Sequence, residues 1–277
     1  MQAPPDSHFY DKAWQQARQS SSLYQHEQDP AAWTVFWDVF APTYLKICRA
    51  QMPANRTLVR RWEDEGILDA ASRVLDIGCG PGTYTLPLGE TAGEVVGLDV
   101  AGKMLEALVA EAAKQGLRSI RPLQADWDEV ETEDEYDLVV AANSPAVRCR
   151  KTLLKMKQVS RGRCLYLCYA GKLSPTLRHR LWKNIMGEEM QGNAFDITYP
   201  FSILYREGYH PHVSFVEQSY TLEESAANVL ENYRAYFRIF GKTGPAVDRV
   251  LEAGVREYSQ NGLVTETVSY KLAIMWW

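Results

Sequence analysis

The segment Val74-Leu75-Asp76-Ile77-Gly78-Cys79-Gly80-Pro81-Gly82-Thr83 constrains the fold more than any other part of the chain. An apolar run meets glycines at alternate positions, and amphipathic sequence follows. The pattern predicts a buried strand from Val74 to Ile77, a tight turn, and a helix from about Thr83. Glycines let the backbone of such a turn take φ values closed to other residues and come close to a ligand. A strand, a glycine turn and a helix in this order belong to βαβ units and a mostly parallel sheet.

The downstream sequence repeats the alternation. Strands are expected over Glu94–Val100, Ile120–Gln124, Tyr136–Ala142 and Arg163–Tyr169, with helices over about Gly102–Gln115, closed by Gly116, and Arg150–Val159. At the carboxyl end Val268, Tyr270, Leu272, Ile274 and Trp276 alternate with Thr267, Ser269, Lys271, Ala273 and Met275, as in a half-buried, antiparallel final strand. The fold class is therefore α/β, a doubly wound, mostly parallel sheet with an antiparallel last strand.

Residues 1–70 read as a helical N-terminal cap and residues 71–277 as the α/β domain. Within the cap, Asp29-Pro30 opens a helix carrying Trp33, Phe36, Trp37 and Phe40, which Pro42 is expected to break. Within the domain, a helical insertion covers about 172–208, a strand His212–Tyr220, and extra helices about 222–259. Thr221-Leu222-Glu223-Glu224 reads as the capping box of the first of these, ending at Gly241; Gly244-Pro245 opens the second, and Asn261-Gly262 marks a turn.

With 277 residues, 46% hydrophobic and 23% charged, the chain is globular and large enough to hold a core without disulfide or metal staples. The excess of 35 acidic over 30 basic residues, a net charge of −5, disfavours a nucleic acid as partner. Cys48, Cys79, Cys149, Cys164 and Cys168 form no CxxC pair, so reduced thiols are expected, with no disulfide frame and no metal. Neither a signal sequence nor an apolar run of roughly 18 residues is evident, which gives a cytoplasmic, non-membrane expectation.

The glycines alone would suit a dinucleotide enzyme, but the spacing is GxGxG, and Asp76 at the strand tip would repel a pyrophosphate and suit a cationic, amine-bearing ligand. Asp99 ends the second strand, placed to accept the hydroxyls of a ribose, although a dehydrogenase would also want an acid there. Asp126 follows the third strand, where a carboxylate can accept from an adenine amino group while the Trp127 indole packs on the ring. Three acids after three successive strands describe a pocket for an adenosine with a positive amino-acid tail, as in S-adenosylmethionine.

On Val74–Gly82, Val95-Val96-Gly97-Leu98-Asp99, Ala125-Asp126-Trp127 and Tyr136-Asp137-Leu138-Val139-Val140 the chain resembles the class I S-adenosylmethionine-dependent methyltransferases, over roughly residues 70–170. The resemblance implies a methyltransferase with S-adenosylmethionine as cofactor and S-adenosylhomocysteine as product. It assigns the methionine part of the cofactor to Asp76, Gly78, Cys79, Gly80 and Gly82, the ribose to Asp99, and adenine to Asp126 and Trp127. Val100, Met104, Asn143 and, from the cap, Tyr44 and Trp37 complete the cofactor set. The aromatic cap and the insertion look most like the small-molecule branch. Asn143-Ser144-Pro145-Ala146 departs from the Asn/Asp-Pro-Pro-Tyr of enzymes that methylate bases or amides.

Methyl transfer is an in-line displacement in which alignment supplies roughly 7–11 kcal/mol, so no catalytic base need stand out. Asn143 and Ser144 are the candidates nearest the reacting methyl; the plainer reading is a polar turn before Pro145. For Trp37 and Tyr44 core packing is the first reading, ahead of a fold over the cofactor, and His210 and His212 read as a surface or strand-edge pair ahead of a base or metal ligands in a substrate wall. The run Arg148, Arg150, Lys151, Lys155, Lys157, Arg161, Arg163 is a solvated face or an anion-docking surface, offset by Asp128, Glu129, Glu131, Glu133, Asp134 and Glu135 nearby. Residues 172–208, with Trp182, Met186, Met190, Phe195, Tyr199 and Tyr205, are the expected lid over a small-molecule acceptor, or a contact in a homodimer. The alternatives are an RNA or protein methyltransferase and a cofactor-binding protein without transferase activity; a nicotinamide dehydrogenase is the remaining one.

Overall fold

A computed structural model describes residues 5–29, 31–131, 135–171, 176–191 and 196–277. Pro30, Glu133, Asp134, residues 172–175 and Phe195, all used above, lie outside the described residues. Strands β1 (Arg73–Ile77), β2 (Glu94–Asp99), β3 (Ile120–Gln124), β4 (Tyr136–Ala142) and β5 (Ser160–Ala170) pair in parallel in the order β3-β2-β1-β4-β5. The sheet continues antiparallel through β8 (Leu263–Trp276) to β6 (His212–Ser225), and β7 (Ser259–Gln260) pairs with the start of β8. The turn between β7 and β8 is Asn261-Gly262, both at positive φ (52° and 78°), the geometry that matches strand twist in a two-residue hairpin.

Helices α4 (Thr85–Gly89), α5 (Gly102–Gln115) and α6 (Arg150–Gln158) make the crossovers between parallel strands. Gly116 closes α5 in the left-handed conformation, φ 72°. The central strands are buried on both faces, which is why they read as continuous apolar runs. Leu75, Ile77, Val139 and Ala141 face a layer that includes Trp14, Leu153 and Met156. Val74, Leu138 and Val140 face the opposite layer, with Leu58, Val59, Trp62 and Leu88.

The amino-terminal region folds as α1 (Ser7–Gln19), α2 (Ser22–Gln25) and the long α3 (Ala32–Asp64). Pro42 does not break α3; both it and Pro53 lie inside the helix. An interior proline costs about 3 kcal/mol in an isolated helix. Here Pro42 is exposed, and the turns beside it are tied to the body of the protein by Thr43 Oγ1 donating to Glu224 (3.0 Å) and Lys46 Nζ to the same carboxylate (2.8 Å).

The remaining helices are α7 (Leu177–Met186), α8 (Thr198–Arg206), α9 (Ala226–Arg238) and α10 (Pro245–Tyr258). The expected capping box at Thr221–Glu224 is instead the end of β6, because β6 pairs with β8 along its whole length, His212↔Trp276 to Ser225↔Leu263. Ser225 caps α9 by accepting from Asn228 N (3.2 Å). The final strand is half-buried only in its first part. From Leu272 to Met275 it is buried on both faces, since the layer holding Trp14 of α1 and Ile203 and Leu204 of α8 covers Ala273 and Met275.

Candidate active site at the carboxyl ends of the strands

The sheet reverses its winding between β1 and β4, and ligands of open α/β sheets bind beyond the strand ends at such a point. The glycine turn and Asn143-Ser144 are the segments that leave β1 and β4 there. The two tips nearly touch: a Cβ on Gly78 would lie 2.2 Å from Ser144 Oγ. Gly78, Gly80 and Gly82 have φ of 68°, 55° and 105°, so this turn needs glycine both for conformation and for space. Gly78 N and Cys79 N donate to Leu98 O (2.7 and 2.9 Å), which locks the turn to β2.

Asp99, at the end of β2, accepts from Gly80 N through Oδ2 and from Ala101 N through Oδ1, each at 2.9 Å. Burial raises its pKa, against the pull of these hydrogen bonds. Asp76 is fully inside the protein and accepts from Thr85 Oγ1 (2.6 Å). Burial pushes its carboxyl up to about 7, with the Thr85 bond opposing and the Asp99 charge adding to the rise. Burial likewise holds the Cys79 thiol well above its ordinary value, so this cysteine is protonated filling and no nucleophile.

Helix α3 crosses over the turn. Tyr44 reaches Gly80, where a Cβ would meet its ring at 3.1 Å. Trp37 stands beside Tyr44 (ring centroids 6.2 Å), and both pack on a small cluster of Ala41, Ala101 and the buried Met104. Cys48 Sγ and Thr83 Oγ1 are 2.9 Å apart under the same helix, and Asn55 Nδ2 donates to Thr83 O (3.1 Å). Tyr44 and Trp37 thus pack against the body of the protein directly beside the glycine turn. Asn143 takes the left-handed conformation at φ 50°, uncommon for a residue other than glycine, and its buried Oδ1 has no hydrogen-bond partner.

Not every expected residue is here. The Trp127 indole is turned into the core, 1% exposed, with Nε1 donating to Thr152 O (3.1 Å) and Lys155 Nζ over its ring; a side chain so enclosed has no face for an adenine. Asp126, next to it, is half-buried and closes a turn by accepting from Asp128 N (2.9 Å). The Val100 side chain is exposed. His210 and His212 are not in a site wall. His212 stacks on Trp276, which pairs with β5 at Leu165, four residues before Tyr169, and His210 lies edge-on to Tyr205. The insertion divides: α7 joins α9 and α10 in an aromatic cluster around Trp182, whereas α8 packs with α1 on the sheet. Met186 and Met190 belong to the first cluster and Tyr199 to the second, while Tyr205 is largely exposed.

Sequence reasoning did not single out a group of tyrosines near the β4 tip, where Asn143 N donates to Leu167 O (2.8 Å), two residues before Tyr169. Tyr169 ends β5 edge-on to Tyr270 of β8 (5.2 Å), and Tyr220 of β6 stands beside Tyr270 (6.2 Å). Tyr270 OH donates to Gln218 (2.6 Å) and accepts from Gln51 (2.8 Å). Their place at the ends of three expected strands was the available signal, but which strands adjoin was not readable. In the basic run, Arg148 and Lys151 pair with Asp128, Arg150 with Glu207 and Arg161 with Asp137. Among the described residues no group of His, Cys, Asp and Glu could hold a metal, and no helix is long and apolar enough to cross a membrane.

Residues 74–161 match the family model described as a methyltransferase domain. An uncharacterized protein of Haemophilus influenzae is 27% identical over 214 residues, 74% of this chain and 75% of that one. The 23S rRNA (uracil(1939)-C(5))-methyltransferase of Alkalilimnicola ehrlichii is 39% identical over 72 residues, but these are only 26% of this chain and 16% of that enzyme. Among solved structures, a putative O-methyltransferase of Nostoc punctiforme shares the fold with a TM-score of 0.50 at 18% identity, over 64% of this chain and 56% of that one. The matched residues hold the glycine turn, Asp99 and the β4 tip, and the strand order about the switch point agrees with that fold; over residues 74–161 the chain carries a methyltransferase domain.

Proposed function

We propose that the protein methylates a small molecule and that S-adenosylmethionine sits on the β1–β2 glycine turn beneath α3. The observation that carries the cofactor placement is Asp99. Each of its oxygens accepts one backbone N–H, so about half of its roughly four lone-pair positions remain for the two hydroxyls of a ribose. The other residues present fit the same ligand. Gly80 opens a cradle under Tyr44 that a side chain would fill, and the partnerless Asn143 Oδ1 is an acceptor waiting for a donor. Asp76 lies behind the turn as a carboxyl that a nearby ammonium would ionise. Gly78, Cys79 and Gly82 shape the turn, Met104 packs beneath Trp37 and Tyr44, and Asp126 is left for adenine.

When bound, the cofactor supplies a methyl group activated on a sulfonium. The chain's task is alignment and exclusion of water. Tyr44 and Trp37 cover the turn, and Asn143 and Ser144, at the β4 tip, face the glycine turn from across the switch point. The left-handed backbone of Asn143 is the kind of local strain that functional sites retain. No base is required of an acceptor that is already nucleophilic.

The small-molecule reading is supported by the tyrosines near the strand ends and by the pairing of Arg148, Arg150, Lys151 and Arg161, four of the seven residues of the basic run, with carboxylates. The rRNA enzyme shares only the cofactor-binding segment. In this reading residues 1–70 are the cap and 71–277 the α/β domain, and a reducing cytoplasm suits the five free thiols. Calorimetry with S-adenosylhomocysteine and NAD, on wild type and Asp99→Ala, tests the proposal. We expect S-adenosylhomocysteine alone to bind, weakened on the order of 10- to 100-fold by the substitution. Binding of NAD instead would overturn it, and binding without turnover on a wide acceptor panel would leave a cofactor-binding protein.

A further inference from the structure

The two outer strands of the sheet differ in kind. β3, at one end, is five residues long and carries the exposed Arg121 and Pro122. Shortness, a proline without a donor and an exposed basic side chain are means by which an edge resists further pairing. β6, at the other end, has 14 residues, with no proline, lysine or arginine among them. It follows β8 in unbroken register from His212↔Trp276 to Ser225↔Leu263, so no bulge turns its outer edge away. Among the described residues no strand pairs with that edge, and no backbone hydrogen bond from a turn or loop reaches β6. A long row of free backbone donors and acceptors is a template for another strand.

The side chains along β6 suit a copy of β6 itself. Phe215, Glu217, Ser219, Thr221 and Glu223 alternate on the exposed face, Phe215 being 55% exposed. On the other face Val216 and Tyr220 pack toward α3, and Gln218 accepts from Tyr270 OH, which in turn accepts from Gln51 of α3. In an antiparallel pairing about a two-fold axis through Gln218, each residue opposes the one equally far from Gln218 in the copy. Phe215 then opposes Thr221, Val216 opposes Tyr220 and Glu217 opposes Ser219. Aromatic side chains meet β-branched ones, and no glutamate stands opposite another. Helix α3 leaves room for this arrangement. It runs antiparallel along β6, from Lys46 at Glu224, past Gln51 beside the Tyr270–Gln218 pair, to Arg61 beside His212–Ser214. One and two turns before Leu58 and one turn before Arg61, on the side of α3 that meets the start of β6, stand the small residues Ala54, Ala50 and Thr57, all at least partly exposed.

We propose that β6 pairs with β6 of a second copy, antiparallel about Gln218, joining two sheets into one and making the protein a dimer. The copy of α3 comes alongside at the small residues, where two helices can approach closely. β5 and β8 stand between this edge and the switch point, so each copy keeps its own glycine turn.

The test is sedimentation velocity on the full chain, wild type against Ser219→Glu and Ser219→Lys. Position 219 is exposed on the solvent face, so both variants should melt as wild type does by circular dichroism. Wild type should sediment as two 31.5 kDa chains. Ser219→Glu sets a glutamate opposite Glu217 on each side of the axis and should weaken the dimer on the order of 10-fold or more. Ser219→Lys sets a lysine opposite Glu217 instead and should leave the dimer as tight or tighter. A wild type that remains monomeric up to about 1 mM overturns the proposal. So does a dimer indifferent to Ser219→Glu, which would place the contact elsewhere, or one that Ser219→Lys weakens as much as Ser219→Glu does.

Discussion

Asp76, buried behind the glycine turn, ties the stability of the fold to pH. Its carboxyl, raised to about 7 by burial, keeps its proton in the folded protein after the unfolded chain has lost its own. Stability therefore declines as pH rises from the ordinary carboxylate value to about 7, and is independent of this group outside that window. Thermal melts of the ligand-free protein should show this decline, and Asp76→Asn, which cannot titrate, should flatten it. A ligand ammonium beside Asp76 favours the ionised form, so S-adenosylhomocysteine should bind more tightly as pH rises toward 7 and release protons below it. Calorimetry in phosphate and in Tris, buffers of different ionisation enthalpy, would count them. The acid itself was evident at the tip of an apolar strand; its enclosure with Thr85 was not, because Thr85 approaches only once α4 packs behind the turn.

The glycine turn was fully legible, since three glycines between a strand and a helix leave few alternatives. What a side chain would meet there depends on the neighbouring strand. Gly78→Ala should destabilise by about 2–4 kcal/mol, combining an unfavourable backbone with a Cβ 2.2 Å from Ser144 Oγ. Gly116→Ala, at nearly the same φ but in open space, should cost only about 1 kcal/mol. Denaturant melts of the pair would separate crowding from conformation, and equal losses would show that the two strand tips can move apart. Helix α3 shows the opposite case: Pro42 is a sound breaker by local rules, and the packing of a 33-residue helix on α5, α9 and β6 overrides it.

The cap is joined to the body by a buried polar junction as well as by aromatic packing. Glu224 of β6, 2% exposed, accepts from Thr43 and Lys46 of α3, from Asn228 of α9 and from Ser225 N, and Asn232 Nδ2 donates to Thr43 Oγ1 (2.9 Å). Burial alone would raise its pKa, but these hydrogen bonds, Lys46 foremost, hold it below the ordinary value. The stability it contributes is present above the unfolded carboxylate value and is lost as pH falls through the lower folded one. Glu224→Gln should cost about 1–3 kcal/mol near pH 7, with the gap to wild type closing in acid. An unchanged melting temperature near pH 7 would show that the aromatic packing holds α3 without this junction.

Periodicity and turn chemistry act between residues close in the chain, and they were enough to delimit β1 to β4, α5, α6 and α10 and to single out Asp76, Asp99 and the glycines as the candidate ligand turn. The order of the strands, the face to which Trp127 turns, the continuation of β6 through Thr221–Glu224 and the meeting of Tyr169, Tyr220 and Tyr270 are contacts between residues far apart in the chain. No local pattern encodes them, because each depends on which neighbour covers which face. Trp127 is the plainest example: along the chain it follows Asp126 just past an expected strand, and only the packing of α6 turns its indole inward to donate to Thr152 O.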